Sequence, residues 1–233
     1  MSRYGSGSRH SGDSEGNVWT LVAGAIAFLV IIGGIGWAVW SWMQNQPPAV
    51  VFGAAYDVSK TMKEVEKRRA VGVMGQLIDQ IPARQRRVKT YRYAEVIREV
   101  SDNTPRKSHE LNAVYEKMIL EYIGNWGTHQ SLPLKQFTTF AGEATNKGKP
   151  IVLCLFTDGE DHSPQETRKV AEQLAQMSDV KYVVVGPLKE QFRLRIQQSL
   201  QPLKDAGKLV LFGENDAGRA IEEVRTGLKN HRS

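Results

Sequence analysis

The sequence predicts a doubly wound α/β domain with a mostly parallel sheet, preceded by one N-terminal transmembrane helix. From residue 49 onward, short apolar runs of strand length alternate with segments whose apolar side chains recur at helical spacing. This alternation is typical of βαβ units, in which helices cover both faces of a parallel sheet. Before it, residues 18–43 contain no charged side chain, and about 20 apolar residues suffice to span a bilayer.

The N-terminal region predicts a tail, an anchor and a linker. Residues 1–17 are rich in Ser, Gly and charge, which is typical of a disordered segment. Residues 18–43 form the predicted transmembrane helix, with tryptophans near both ends as in interfacial aromatic belts. A cleaved signal peptide is the alternative, but the apolar run exceeds a typical signal core and no small-x-small site precedes Gln44. Residues 44–49 are the linker, and residues 50–229 form the α/β domain.

The predicted location is a membrane that the chain crosses once. One anchor followed by one domain of this size is typical of a prokaryotic plasma membrane protein. The lysines and arginines that flank the span favour neither orientation. The lipid bilayer is therefore one expected partner.

Composition restricts the remaining partners. The 233 residues carry a formal charge of +6, and a basic chain favours anionic partners such as lipid head groups. No basic array interleaved with aromatic residues and no helix-turn-helix pattern is present, so nucleic acid is not an expected partner. Cys154 is the only cysteine, which excludes an intrachain disulfide, and its apolar surroundings in the sequence predict a core residue.

The first half of the domain begins with a strand at residues 50–56, an apolar run that ends at an acidic loop. Residues 61–81 follow with apolar side chains on one helical face, which predicts a helix. The further elements predicted here are a strand at 88–93, a short neighbour over 93–100, a helix marked by Leu111, Val114, Tyr115, Met118 and Tyr122, and a helix over 137–145.

The second half begins with the central strand at residues 151–156, which is apolar throughout. A helix start follows, with Ser163 as N-cap, Pro164 at the first helical position and Glu166 completing a capping box. The remaining elements predicted are a strand at 180–185, a helix on the row Leu188, Phe192, Ile196 and Leu200, a strand at 208–212, and a helix carrying Ala220, Ile221, Val224 and Leu228.

Oxygen-bearing side chains follow the predicted strands. Asp57, Ser59 and Thr61 alternate in the turn after the first strand, Asp158 follows the central strand, and Thr128 lies between them in the sequence. Carboxyl ends of parallel strands meet at the edge where open α/β sheets place their binding crevice. Carboxylate and hydroxyl oxygens suit a hard divalent cation. The alternative is that Asp57 and Ser59 cap their helix and that Asp158 only starts a turn.

Together and in this order, these residues resemble the metal-ion-dependent adhesion site of von Willebrand factor A (vWA) domains. The family pattern is Asp-x-Ser-x-Ser, then Thr, then Asp. It is matched here by Asp57, Ser59 and Thr61, by Thr128 and by Asp158, with Thr61 standing where the family usually has serine. The resemblance covers residues 49–228 and implies a Rossmann-like fold. It also implies that the five residues hold Mg²⁺, or Mn²⁺ or Ca²⁺, with one coordination position open to a carboxylate of a partner protein.

Two other functions start from the same residues. A magnesium-dependent phosphohydrolase or phosphotransferase of the haloacid-dehalogenase type would use the aspartate after the first strand as nucleophile. Such enzymes carry a second aspartate as acid/base where this chain has Ser59. The other alternative is a vestigial site on a structural scaffold at the membrane surface. We predict a non-enzymatic, membrane-anchored module that binds another protein.

Further polar residues lie around the acidic loops. Glu160, Asp161 and His162 extend the third loop, and we expect them to be solvated rim residues. His129, beside Thr128, is expected at the rim as a hydrogen-bonding residue. A basic group is expected to be solvated or to contact anionic lipid: Arg84, Arg86, Arg87, Lys89 and Arg92.

Overall fold

The computed structural model describes residues 15–44, 46–111 and 127–230. The chain divides into two compact units, Met1–Gln46 and Pro47–Ser233. Two predictions fall outside the described residues. They are the tail up to residue 14 and, after Leu111, the helix predicted over residues 111–122.

The first unit contains one long helix, α1 (Glu15–Gln44). Within it, the 21 residues Val22–Trp42 have a mean hydropathy of 2.3, which makes them long and apolar enough to cross a membrane by length and composition. The helix begins three residues before the predicted span of 18–43, so residues 15–17 are helical instead of belonging to the tail.

The second unit, called the α/β unit below, is built on a six-stranded sheet in the order β3-β2-β1-β4-β5-β6. Among the described strands, β2 and the edge strand β3 form the only antiparallel pair, so the predicted mostly parallel sheet is confirmed. The strands are β1 (Val50–Asp57), β2 (Arg86–Tyr93), β3 (Ile97–Asn103), β4 (Ile151–Phe156), β5 (Val180–Gly186) and β6 (Leu209–Leu211).

Helices cover both faces of this sheet. Their described members are α2 (Glu64–Gln80), α3 (Ser131–Ala141), α4 (Pro164–Gln176), α5 (Glu190–Ser199), α6 (Gln201–Asp205) and α7 (Ala217–Asn230). A single 3₁₀ turn, Ala144–Asn146, follows α3.

Alternation along the central strand β1 separates two hydrophobic clusters, because successive side chains of a strand point to opposite faces. Phe52 and Tyr56 belong to the cluster that includes residues of α2 and α7. Val51 and Ala55 belong to the cluster that includes residues of α3 and α4. Every residue of β1 is buried, which is the pattern of a sheet covered on both sides. The doubly wound architecture is therefore confirmed.

Three helix boundaries differ from the prediction. Helix α2 begins at Glu64, three residues later than expected, because the backbone N–H of Lys63 donates to Glu66 Oε2 at 2.6 Å and caps the helix there. Helix α3 lies at Ser131–Ala141 instead of 137–145, since its first turn accommodates Pro133. The single helix predicted over residues 188–200 is divided at Leu200 into α5 and α6.

The start of α4 also corrects the sequence prediction. Pro164 is the first helical residue, as predicted, but the Ser163 side chain makes no capping hydrogen bond. Instead the Ser163 N–H donates to Asp161 Oδ1 at 3.0 Å. Glu166 Oε2 accepts from Ser131 Oγ at 3.3 Å. The predicted capping box is therefore wrong, and Asp161 accepts the Ser163 N–H in place of the Glu166 side chain.

The strand order brings the carboxyl ends of β1 and β4 together at one edge of the sheet. The chain runs from β1 to its neighbour β2 on one side, while β4 pairs with β1 on the other, which creates a topological switch point. At that point Tyr56 pairs with Phe156, and their rings stack with centroids 4.7 Å apart. The residues that follow these two, Asp57 and Thr157, consequently emerge at the same edge of the sheet.

A truncation in β4 tests the two-sided core. Leu155 is fully buried in the central strand β4, so Leu155→Ala leaves a cavity and is expected to lower the free energy of unfolding by about 2–5 kcal/mol. The measurement is urea unfolding of the fragment Pro47–Ser233, which contains every member of both clusters. Leu194→Ala is the matched control, because Leu194 is 66% exposed; equal losses for the two variants would contradict the core assignment.

Candidate functional site

The first loop of the candidate site follows β1. Asp57, the last residue of β1, is fully buried. Its Oδ1 accepts the backbone N–H of Ser59 at 2.9 Å, and its Oδ2 accepts the hydroxyl of Thr157 at 3.2 Å. The hydroxyl oxygens of Ser59 and Thr61 lie 3.0 Å apart. One short loop therefore presents a carboxylate and two hydroxyls that contact one another.

The third loop follows β4 and supplies a second carboxylate. Asp158 is fully buried. Its Oδ1 accepts the backbone N–H of Glu160 at 3.1 Å, and its Oδ2 accepts the ammonium of Lys189 at 2.7 Å. Since Thr157 bonds Asp57, the first and third loops are connected at the carboxyl ends of β1 and β4.

The second loop contributes Thr128, whose hydroxyl oxygen is buried and has no hydrogen-bond partner among the described residues. His162 of the third loop makes two hydrogen bonds to the Thr128 backbone. The Thr128 N–H donates to the His162 ring Nδ1 at 3.1 Å, and the His162 backbone N–H donates to the Thr128 carbonyl at 2.9 Å. His129, which the sequence analysis expected to form a hydrogen bond at the rim, has its ring centroid 6.0 Å from that of His162. His162 is the histidine that bonds Thr128.

The donor set fits a hard divalent cation. It combines two buried carboxylates with three hydroxyls. The Thr128 hydroxyl is buried without a partner among the residues that the structure describes, and a buried polar group without a partner is destabilising. Within residues 15–44, 46–111 and 127–230, no group of three or more His, Cys, Asp or Glu side chains is placed to hold a metal ion. A cation at this edge would therefore depend on hydroxyl and water oxygens as much as on carboxylates.

Comparison with known proteins agrees with the fold. A solved structure of a von Willebrand factor type A protein from Catenulispora acidiphila is similar, with 16% sequence identity and a TM-score of 0.52; the match covers 78% of this chain and 42% of that chain. The α/β unit has the vWA fold. No protein-family model and no curated protein sequence matches the chain.

Two further solved structures share the vWA fold with this chain. One is an aerotolerance-related membrane protein from Bacteroides fragilis, with 12% identity, a TM-score of 0.55, and 78% of this chain and 99% of that chain covered. The other is proximal thread matrix protein 1 from the mussel byssus with a zinc-occupied MIDAS motif, with 12% identity, a TM-score of 0.53, and 80% and 46% covered. At such identities the similarity shows the fold.

Burial of Asp57 is the main electrostatic feature of the candidate site. Burial raises the pKa of Asp57 to about 7, against the hydrogen bonds from Ser59, which lower it, and together with repulsion from Asp158, which raises it further. Burial likewise raises the pKa of Tyr93 well above its usual value, and the Asp57 charge adds to this. Without a cation, ionisation of Asp57 beside the Asp158 carboxylate is therefore unfavourable.

Two lysines that the sequence analysis did not identify approach the candidate site. Burial lowers the pKa of Lys67, partly offset by the charge of Asp57, and its ammonium donates to the Val58 carbonyl at 3.4 Å. Burial also lowers the pKa of Lys189, but the hydrogen bond to Asp158 raises it, and the net direction is upward. Both ammonium groups therefore supply positive charge beside the two buried carboxylates.

Asp161 connects the second and third loops. It is 2% exposed, so the prediction of a solvated rim residue is wrong. It accepts hydrogen bonds from the backbone N–H groups of Gln130 at 3.3 Å and Ser163 at 3.0 Å, and from the Thr167 hydroxyl at 2.8 Å. The side-chain amide of Gln130 in turn donates to the Thr157 hydroxyl at 3.4 Å. The signal in the sequence was an aspartate two residues before a Ser-Pro helix start.

Two pairs of residues from the predicted basic cluster lie in different surroundings in the α/β unit. Arg87 and Lys89 form ion pairs with Glu143, at 2.7 and 3.2 Å. Arg84 and Arg86 line a cavity of about 300 Å³ near the start of β2, together with Arg106 from outside the predicted cluster. The charges of Arg87 and Lys89 are thus compensated within the protein.

Removal of the Asp57 charge tests the electrostatics of the site. Because the folded-state pKa of about 7 lies above the ordinary value of 3.8, the folded state binds more protons between these values, and the cation-free domain loses stability as pH rises from about 4 to 7. Three pKa units correspond to at most about 4 kcal/mol. We expect Asp57→Asn to gain stability over the wild type by up to that amount from pH 4.5 to 8, measured by urea unfolding in chelator. A difference that is constant with pH would contradict the burial argument.

Truncation of Asp161 tests the connection between loops. Asp161→Ala leaves buried donors of Gln130, Ser163 and Thr167 without their acceptor, and each such donor costs about 1–3 kcal/mol. We expect the free energy of unfolding to fall by at least about 2 kcal/mol. The control is Asp205→Ala, an exposed aspartate in α6, expected to change it by about 0.5 kcal/mol or less. Similar values for both variants would show that Asp161 is not structural.

Proposed function

We propose that this protein is a membrane-anchored interaction module that binds a carboxylate of a partner protein through a divalent cation. The cation is held by Asp57, Ser59, Thr61, Thr128 and Asp158. The observation that carries the proposal is the buried Thr128 hydroxyl, which has no hydrogen-bond partner among the described residues and lies in the loop that His162 joins to the third loop. A cation gives that hydroxyl oxygen a partner and compensates the charge of the buried carboxylates.

The proposed roles follow from the chemistry of the donors. Asp57, Ser59 and Thr61 are direct ligands, while Thr128 and Asp158 act directly or through water. Mg²⁺ keeps several waters when proteins bind it, and Mn²⁺ and Ca²⁺ accept the same oxygen donors. When bound, the cation offers a position at which a partner's carboxylate replaces a water. Such a contact is charge-assisted and sensitive to geometry.

Similar proteins support the class of function. The mussel byssus protein carries zinc at its MIDAS motif, and the Bacteroides fragilis relative in fold is a membrane protein. The apolar span of α1 supports a membrane anchor, and we propose a prokaryotic plasma membrane as its location. Ser59 occupies the place of the acid/base aspartate of the phosphohydrolases considered above, so we propose binding without catalysis.

Cation binding by the fragment Pro47–Ser233 is the test. We expect Mg²⁺, Mn²⁺ or Ca²⁺ to raise its unfolding temperature over that in EDTA, because a ligand at 100 times its Kd adds about 2.7 kcal/mol. Thr128→Val is isosteric and loses no hydrogen bond among the described residues, so it should leave cation-free stability unchanged while weakening cation binding at least tenfold. Thr139→Val, with its exposed hydroxyl on α3, is the matched control.

The same samples test the carboxylate step. With Mn²⁺ bound, acetate that enters the open position should show faster relaxation of its methyl protons in the wild type than in Thr128→Val. If no cation binds, the metal site is wrong. If a cation binds but acetate relaxation is unaffected, the carboxylate step is wrong. Turnover of p-nitrophenyl phosphate that Thr128→Val abolishes would instead support the enzyme.

A further inference from the structure

Lys189 is attached twice to the same site residue. It immediately precedes α5, and its backbone N–H donates to the Asp158 carbonyl at 2.9 Å. Its ammonium folds back to the Asp158 carboxylate, with Nζ 2.7 Å from Oδ2. The main-chain contact holds the lysine Cα beside the third loop, so the side chain stays close to Asp158.

The Lys189 ammonium also reaches the first loop. Nζ donates to the Thr61 carbonyl at 2.9 Å and lies 3.7 Å from Glu66 Oε1. It therefore joins the residues proposed to hold the cation on both sides, Thr61 and Asp158. The Asp158 side chain is fully buried, whereas the Lys189 side chain is 27% exposed. The Lys189 side chain is thus in contact with solvent, whereas that of Asp158 is not.

We propose that Lys189 is a tethered cation that competes with the divalent ion for Asp158, so that loading the site requires the ammonium to leave that carboxylate. The inference rests on the proposed function, since it concerns the same five ligands. It assigns to Lys189 the role of setting cation affinity, and it links cation binding to the segment between β5 and α5.

Lys189 and a divalent ion would share one carboxylate. The Lys189 Nζ already lies 2.7 Å from Asp158 Oδ2, and Asp158 is one of the residues proposed to hold the ion. Repulsion between an ammonium and a divalent ion that share one carboxylate is strong because the site is poorly solvated.

The displaced ammonium has an alternative position. A cavity of about 410 Å³ adjoins the β5–α5 connection, and Lys189 is one of its lining residues. Three carboxylates and Arg193 line it as well: Glu190, Glu214 and Asp216 are the carboxylates, and Arg193 lies 3.7 Å from both Glu190 Oε2 and Asp216 Oδ2. The Glu190 side chain is 87% exposed, so an ammonium that turns toward this cavity reaches solvent and shares these carboxylates with Arg193, while the main-chain contact of Lys189 is kept.

Cation titration of a charge-removing variant tests the proposal. Mg²⁺ and Mn²⁺ are titrated by calorimetry into the fragment Pro47–Ser233, whose two clusters form its own core. We expect Lys189→Met to bind at least tenfold tighter than the wild type, because the competitor is gone. Lys189→Arg, which keeps the charge, should stay within about threefold of the wild type, and Lys204→Met on α6 is the matched control with no expected change.

A direct readout uses the wild type alone. In ¹H–¹⁵N spectra that detect lysine ammonium groups, the Lys189 signal should be visible without cation, because Asp158 and Thr61 protect it, and should disappear or shift on addition of Mg²⁺. This measurement keeps the proposal testable where Lys189→Met, which leaves Asp158 without its partner, fails to fold. A Lys189 signal that is unchanged when Mg²⁺ is demonstrably bound would overturn the proposal.

The titration separates this inference from the proposed function. Binding by Lys189→Met alone would support the competition but show that the wild-type site is closed by its own lysine, as in the vestigial scaffold. Equal affinities for Lys189→Met and the wild type would overturn the competition and leave the proposed function standing. No binding by either protein would overturn both.

Discussion

Burial of two carboxylates at adjacent strand ends is the constraint on which this site depends. Asp57 and Asp158 are fully buried where β1 and β4 end, and uncompensated charge in such a place is costly. Surrounding contacts offset that cost. Asp57 accepts the backbone N–H of Ser59 and the hydroxyl of Thr157, and Asp158 accepts the ammonium of Lys189. Each of these donors offsets part of the negative charge of the carboxylates, as a divalent cation would.

The sheet makes this arrangement rigid enough to be useful. Both faces of β1 are packed, so the ends of β1 and β4 hold fixed positions, and the loops beyond them are joined by side chains. Asp161 and His162 join the second and third loops, while Thr157 joins the third to the first. A preorganised donor set of this kind binds with little loss of conformational freedom. Two-sided burial also explains why structures with 10–16% identity retain the same fold.

Periodic elements were predictable from the sequence, and their ends were less so. Strands β1, β4 and β5 are short apolar runs, which is the pattern of strands buried on both faces of a sheet. Their predicted ranges agree with the structure to within one residue. The start of α2 and the whole of α3 were misplaced, because capping at Lys63 and the tolerance for Pro133 in a first turn depend on side-chain geometry. The capping box at Ser163 failed for the same reason, since Asp161 accepts the N–H in its place.

The sequence by itself determined the strand–helix alternation, the apolar span and the order of Asp57, Thr128 and Asp158 along the chain. Those signals lie in neighbouring or regularly spaced residues, because helix and strand propensities and apolar patterns act over a short range along the chain. Only the tertiary structure decided that Lys189 reaches Asp158, 31 residues away, and Thr61, 128 residues away. A contact of that kind follows from the order of strands in the sheet, which brings distant loops to one edge, and a lone lysine before a helix has no pattern that distinguishes it from a solvated one.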